Sequence, residues 1–283
     1  MGKGGNTDVY RIGVDGKGSI QKVGTKPFNS HMLGPSIMYD VDKVVMLDNS
    51  GVLWSVDISN SNRPYFSRKK DIGKARTNGV MANLPDGRVA IVGGCSSLRA
   101  SGTSRSTANY RIQIWDPVTN QVYDGPKQDK PRLYHSSTLI LPDSTIFSAG
   151  GGAPGPVRNL NGQVYAPGYL VNPETGTPAR RPEIEWAPKN AKAGNKIWME
   201  VDDLDSIRRV TATKSGSMTH ARNNDARWVE LDFTVEWQWG ELRITLPNKN
   251  IMIAGLWNIN VIDKNGVPSV AHLLGVNMAD LPK

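Results

Sequence analysis

An eleven-residue pattern occurs twice, 57 residues apart, and restricts the fold more than any other feature of this 283-residue chain. Leu84-Pro85-Asp86-Gly87-Arg88-Val89-Ala90-Ile91-Val92-Gly93-Gly94 returns as Leu141-Pro142-Asp143-Ser144-Thr145-Ile146-Phe147-Ser148-Ala149-Gly150-Gly151. Each copy reads as a strand end, a Pro-Asp turn, a second strand and a Gly-Gly pair. A further strand with an aromatic end follows each one, at Trp115-Asp116-Pro117 and Tyr165-Ala166-Pro167. A degenerate earlier copy runs from Ser36 to Asp40 and Val44 to Leu47. There Asp48-Asn49 replace the glycines, ahead of Val52-Leu53-Trp54. Short strands recurring at a fixed period specify stacked, near-identical units rather than one large sheet.

A period near 50 with four short strands per unit is the kelch-like pattern of β-propeller blades. The Gly-Gly pair lets a strand end turn tightly near the crowded propeller axis. Other β-like runs include Ile112 to Trp115, Ser137 to Leu141, Lys196 to Val201, Trp228 to Phe233, Glu241 to Leu246 and Trp257 to Ile262. No stretch of twelve residues or more holds a helical period, so the expected class is all-β. The repeat stops near Pro178 to Pro182. About seven strand candidates in roughly 100 further residues suit an immunoglobulin-like sandwich. The expected organisation is an N-terminal extension or partial blade (1–29), about three propeller blades (30–179) and a sandwich (180–283).

Composition removes several classes. The longest apolar run, Ile251 to Trp257, is far short of the roughly 20 residues of a membrane-spanning helix. The net charge is +8, yet the basic residues are dispersed and their tightest cluster is Arg68-Lys69-Lys70. That reads as a solvated surface rather than a nucleic-acid groove. Cys95 is the single cysteine, which excludes an intrachain disulfide and a cysteine-based zinc site. Met1 to Asn6 carry no apolar signal core, so the sequence leaves the compartment open.

The segment Pro131-Arg132-Leu133-Tyr134-His135-Ser136-Ser137-Thr138-Leu139-Ile140-Leu141-Pro142-Asp143 closely resembles a signature of the copper-radical oxidases, the galactose oxidase and glyoxal oxidase group. The likeness continues at Gln163 to Leu170, Pro182 to Ile184, Ser217-Met218-Thr219-His220-Ala221 and Asn265 to Ala271. It spans roughly residues 30–275. The resemblance implies one copper ion held by Tyr134, His135 and His220, with Tyr134 as the axial phenol and proton acceptor. It implies oxidation of a primary alcohol or aldehyde hydrate, with O₂ reduced to H₂O₂, and an extracellular setting. The residue chemistry agrees, because copper(II) takes imidazole nitrogen and phenolate oxygen in tetragonal geometry. Neighbouring residues on a regular strand face opposite ways, so Tyr134 and His135 can share a metal only at an irregular strand end.

The departures are equally specific. The family's second, equatorial tyrosine and its cross-linked cysteine belong to blades before those present here. Cys95 follows Gly93-Gly94 and reads as a small buried filler. Asn78 stands where the galactose-type pocket aromatic is expected beside Arg76-Thr77, and the segment before His31 lacks the arginine that galactose oxidases use for sugar contact. His31 and His272 match no ligand position and read as structural.

The expected partner is therefore a separate chain carrying the missing blades, or self-association, besides a small alcohol, aldehyde or carbohydrate substrate. A rival reading is a catalytically silent, truncated or split relative serving as a glycan- or surface-binding module. A third gives the +8 charge to polyanions. Among decoys, Gly150, Gly152 and Gly155 fit a dinucleotide pattern, but Pro154 and Pro156 interrupt it and no helix follows. Asp202-Asp203-Leu204-Asp205 lacks the glycine and glutamate of a calcium loop. Trp237-Gln238-Trp239 could stack on sugars or bases, and packing inside the sandwich is the expectation.

Overall fold

In a computed structural model, residues 7–30, 34–97, 105–153, 155, 157–220 and 222–278 are described. They form an all-β protein. A hairpin, β1 (Asp8–Gly13) and β2 (Ser19–Thr25), comes first. The repeats then build three small antiparallel sheets, each a meander of neighbouring strands. The first holds β3 (Ser36–Asp40), β4 (Lys43–Leu47), β5 (Val52–Asp57) and β6 (Tyr65–Asp71). The second holds β7 (Thr77–Asn83), β8 (Val89–Cys95), β9 (Arg111–Trp115) and β10 (Val122–Lys127). The third has three strands, β11 (Ser136–Ile140), β12 (Ile146–Gly150) and β13 (Gly162–Tyr165). These are the blades that the repeat predicts.

Blade packs on blade through apolar side chains. Ile37, Tyr39, Val45 and Leu53 of the first meet Met81, Val89, Ile91 and Trp115 of the second. Ala90, Val92 and Ile112 of the second meet Ile146 of the third. β7 and β8 are buried along their whole length, as strands covered on both faces must be.

The remaining strands are β14 (Ile184–Trp186), β15 (Asn190–Ala191), β16 (Lys196–Val201), β17 (Ile207–Lys214), β18 (Ser217–Thr219), β19 (Arg222–Asn224), β20 (Trp228–Glu236), β21 (Glu241–Thr245), β22 (Gly255–Asp263) and β23 (His272–Val276). Eight of them run in the order β14-β16-β21-β20-β17-β22-β23-β15. β20 joins the two layers: its first half pairs with β17, and Asp232 to Glu236 pair with β21. The sheet curls at that strand and closes over Met199, Val210, Leu242, Trp257, Ile259 and Leu274. Along β16 buried Ile197, Met199 and Val201 alternate with exposed Lys196, Trp198 and Glu200, the period-two signature of a half-covered sheet.

The sandwich grips the repeat turns. Arg209 Nη1 donates to the Asp86 carbonyl (3.0 Å) and Trp228 Nε1 to that of Pro85 (2.9 Å). Arg181 Nη1 donates to the Asp143 carbonyl and the Ala271 amide to that of Pro142, both at 2.7 Å. Both Pro-Asp turns thus serve as docking points. One expectation fails here: Trp237 and Trp239 do not pack in the sandwich. They occupy the turn between β20 and β21 and are 62% and 69% exposed. β20 ends at Glu236, so the strand alternation that would turn both rings inward does not reach them.

Candidate metal centre

The loop that opens the third blade carries Tyr134 and His135 in a turn immediately before β11. The Ser136 amide donates to the Leu133 carbonyl (2.9 Å) and closes this turn. His135 takes a left-handed backbone, φ 64°. That reversal breaks the strand alternation, and the two adjacent rings stack at a centroid distance of 3.8 Å. Asn78, 57 positions earlier in the repeat, has φ 62°. The left-handed position thus belongs to the repeat itself, and residue types such as Asn and His tolerate it best among non-glycines.

Neighbouring glycines hold the loop. The Gly94 amide donates to the Arg132 carbonyl (2.7 Å), and the Gly152 amide to that of Tyr134 (2.7 Å). A Cβ on Gly93 would meet the Arg132 carbonyl oxygen at 2.5 Å, and one on Gly151 the Leu133 amide at 2.9 Å. Fully buried Arg132 donates through Nη1 to the Gly150 and Asn161 carbonyls, each at 3.0 Å. Arg76 does the same for the second blade, reaching the Gly93 carbonyl at 3.0 Å. Its guanidinium is pulled down to about 10 by burial. The glycine pair of one blade therefore clamps the opening loop of the next.

His220 arrives from the other direction. The hairpin β18–β19 leaves the sandwich between β17 and β20 and lies against β11, β7 and β3. Its neck is closed by the nearly buried Lys214 ammonium, 2.6 Å from the Asp225 carboxylate. Arg222 Nη1 donates to Ser36 Oγ (3.3 Å), and Ala226 sits in the apolar cluster between the first two blades. At the tip His220 is left-handed (φ 48°), and its Nδ1 shares a 2.6 Å hydrogen bond with the Thr219 hydroxyl. Among the described residues nothing bonds to Nε2. The His220 ring lies 4.8 Å from that of His135 and 5.8 Å from that of Tyr134.

Three side chains from two parts of the fold thus converge, offering two imidazoles and one phenol. Both histidines are exposed and Tyr134 is half-buried. Among the described residues no three His, Cys, Asp or Glu side chains gather to hold a metal, so the phenol is what completes a three-donor set. That set fits copper(II) better than magnesium or calcium, which require carboxylate and carbonyl oxygens. A cleft of about 920 Å³, lined by Asp57, Tyr65, Arg88 and Glu230, lies elsewhere, and none of the three rings lines it.

The other singled-out residues fall as follows. Cys95 is buried beside Leu133 and Val157, and burial raises its thiol pKa, as for a packing residue. His272 Nε2 lies 2.9 Å from the Pro188 carbonyl, a structural contact. His31 lies outside the described residues. Sequence reasoning missed Thr219 as the orienting partner of His220, although it precedes the histidine directly. It also missed Arg132, although an arginine opens each clear copy of the repeat.

Residues 181–276 match the galactose oxidase-like Early set domain. Curated galactose oxidase from Gibberella zeae is 28% identical over 288 aligned positions, covering 93% of this chain and 41% of the relative. The chain resembles the galactose oxidases. In three dimensions it superposes on a fungal alcohol oxidase of the AA5 family, solved in complex with copper, with a TM-score of 0.89. At 24% identity that match speaks for the fold; it covers 96% of this chain and 60% of the other. The chain spans less than half the length of the curated relatives it matches.

Proposed function

We propose that this chain supplies three ligands to a mononuclear copper site in an oxidase of the copper-radical type, acting on primary alcohols or aldehydes. The observation that carries the reading is the convergence of Tyr134, His135 and His220, whose rings lie within 5.8 Å of one another. His220 binds through Nε2, because Thr219 occupies Nδ1. The Tyr134 phenolic oxygen takes the proton from the substrate hydroxyl, the part of the reaction that falls to this chain's own side chains. Copper, when bound, supplies the one-electron chemistry that ends with two electrons on O₂.

In the same reading residues 30–179 are kelch-type propeller blades and residues 180–283 the sandwich domain. Further blades close the ring and bring the equatorial tyrosine and its cross-linked cysteine, from more of the same polypeptide or from a separate chain. One observation favours a second reading. Cys95 is inaccessible, and no second tyrosine joins the cluster among the described residues, so the same three ligands suit a copper-binding relative without radical chemistry. The test is copper loading followed by an assay of H₂O₂ release on primary alcohols, aldehydes and galactosides. Oxidase activity that is lost in His135→Ala supports the first reading. Copper binding without turnover supports the second, and no copper binding contradicts both.

A further inference from the structure

The layer β14-β16-β21-β20 turns its outer face to solvent, and its composition is uncommon for a sandwich. In register across it stand Lys196, Thr245 and Asp232, then Trp198, Arg243 and Thr234, then Trp186, Glu200, Glu241 and Glu236. Trp237 and Trp239 follow in the turn beyond the last row. The exposures are 51% for Trp186, 44% for Trp198, 62% for Trp237 and 69% for Trp239. Half of the chain's 8 tryptophans are therefore exposed along one end of this layer, from β14 across to the turn after β20. Strands lie about 4.8 Å apart, so the row from Trp186 to Glu236 spans about 14 Å. Large exposed aromatics gathered in this way mark a binding surface.

The residues between the rings narrow the ligand. Glu200, Glu236, Glu241 and Asp232 outnumber Lys196 and Arg243, so this face is net negative on a chain of charge +8. Polyanions and anionic headgroups are repelled here. A protein interface of this size would clear charges from its centre, whereas here carboxylates separate the rings. Arg243 is held in place by Glu236 (3.0 Å) and Thr234 (3.3 Å). Indole faces accept the C–H faces of sugar rings, and fixed carboxylates and guanidinium groups bond to their hydroxyls.

We propose that this face binds a neutral polysaccharide chain, with Trp186, Trp198, Trp237 and Trp239 as its stacking platform. The site is separate from the copper ligands, so either proposal can fail alone.

The test is retention of the purified chain on microcrystalline cellulose and retardation in native gels cast with galactomannan, with polygalacturonate as the anionic control. Trp237→Ala/Trp239→Ala and, separately, Trp186→Ala alter exposed side chains, so their melting should match the parent. The proposal expects binding to at least one neutral polymer, weakened about tenfold or more by the double variant and also by Trp186→Ala. Retention should persist in His135→Ala/His220→Ala. Failure of the parent to bind either neutral polymer overturns the proposal. So does undiminished binding by the tryptophan variants, or retention on polygalacturonate alone. Light scattering that shows a dimer dissolved by the double variant, with no polymer bound, assigns the face to self-association instead and also overturns it.

Discussion

His135 and His220 lie 85 positions apart in sequence, yet their rings meet edge to face with centroids 4.8 Å apart. Both sit at left-handed backbone positions, φ 64° and φ 48°. Non-glycine residues held there store strain that the surrounding structure must support, and such positions cluster at functional sites. The support is visible on each side. Glycine pairs and Arg132 clamp the loop of His135, and the Lys214–Asp225 bridge closes the neck of the hairpin that carries His220.

The glycine clamp yields the first prediction. A Cβ on Gly94 would meet the Gly79 amide nitrogen at 2.6 Å and the Arg76 carbonyl oxygen at 2.8 Å, at φ 77°. All the contacted atoms are backbone and cannot swing aside. Gly94→Ala should destabilise by about 3 kcal/mol or more by urea melts. Gly176→Ala has φ 69° with nothing within 4 Å, and should cost only about 1 kcal/mol. Equal losses would show that backbone conformation alone, not close approach, sets the cost.

Arg132 provides the second. Its Nη1 donates to the Gly150 and Asn161 carbonyls and its Nη2 to the Gln163 side-chain oxygen (3.4 Å), so the planar fork spans three acceptors. Lysine keeps the charge but cannot reproduce the fork. Arg132→Lys should lower stability by about 2 kcal/mol and weaken copper binding, because the loop it anchors carries Tyr134 and His135. A variant of parental stability and copper affinity would remove Arg132 from the account.

A third prediction concerns acid. Asp48 occupies the place of the glycine pair in the degenerate repeat. Burial pushes its carboxyl up, but hydrogen bonds from the Val52 and Ser50 amides, the Ser50 hydroxyl and the Trp54 indole outweigh this and hold it below the usual carboxylate range. A depressed folded value stabilises the fold above the ordinary carboxylate pKa of about 3.9, and that stabilisation is lost as pH falls through the lowered value. Asp48→Asn should therefore cost about 2 kcal/mol at pH 7 and progressively less toward pH 3. A gap that stays constant with pH would show that shape rather than charge matters at this position.

Much of this architecture was legible in residue patterns. The 57-residue spacing marks the blades, and the run Pro131 to Asp143 marks the loop with Tyr134 and His135. The run Lys196 to Val201 reads as a strand of the sandwich. What stayed hidden depends on contacts between distant segments. Gly93 and Gly94 read as a local turn, yet Gly93 makes room for the next blade's loop at Arg132, while Gly94 bonds that loop through its amide and makes room for the backbone of Arg76 and Gly79 in its own blade. Pro85 and Pro142 read as turn residues, and nothing local shows that their carbonyls dock the sandwich. Trp237 and Trp239 share a spacing of two whether on a strand or in a turn. Only the end of β20 at Glu236 decides between burial and exposure.

The central claim is that Tyr134, His135 and His220 form one metal site, and copper(II) titration followed by electron paramagnetic resonance tests it most directly. One tetragonal copper per chain is predicted, with nitrogen splitting from two imidazoles. His135→Ala and His220→Ala should each weaken binding by about a hundredfold or more and remove one nitrogen from the spectrum. Thr219→Val, which frees Nδ1 of His220, should weaken binding about tenfold, and Thr219→Ser should restore it. Copper taken up equally by the parent and the His135→Ala/His220→Ala double variant would contradict the account.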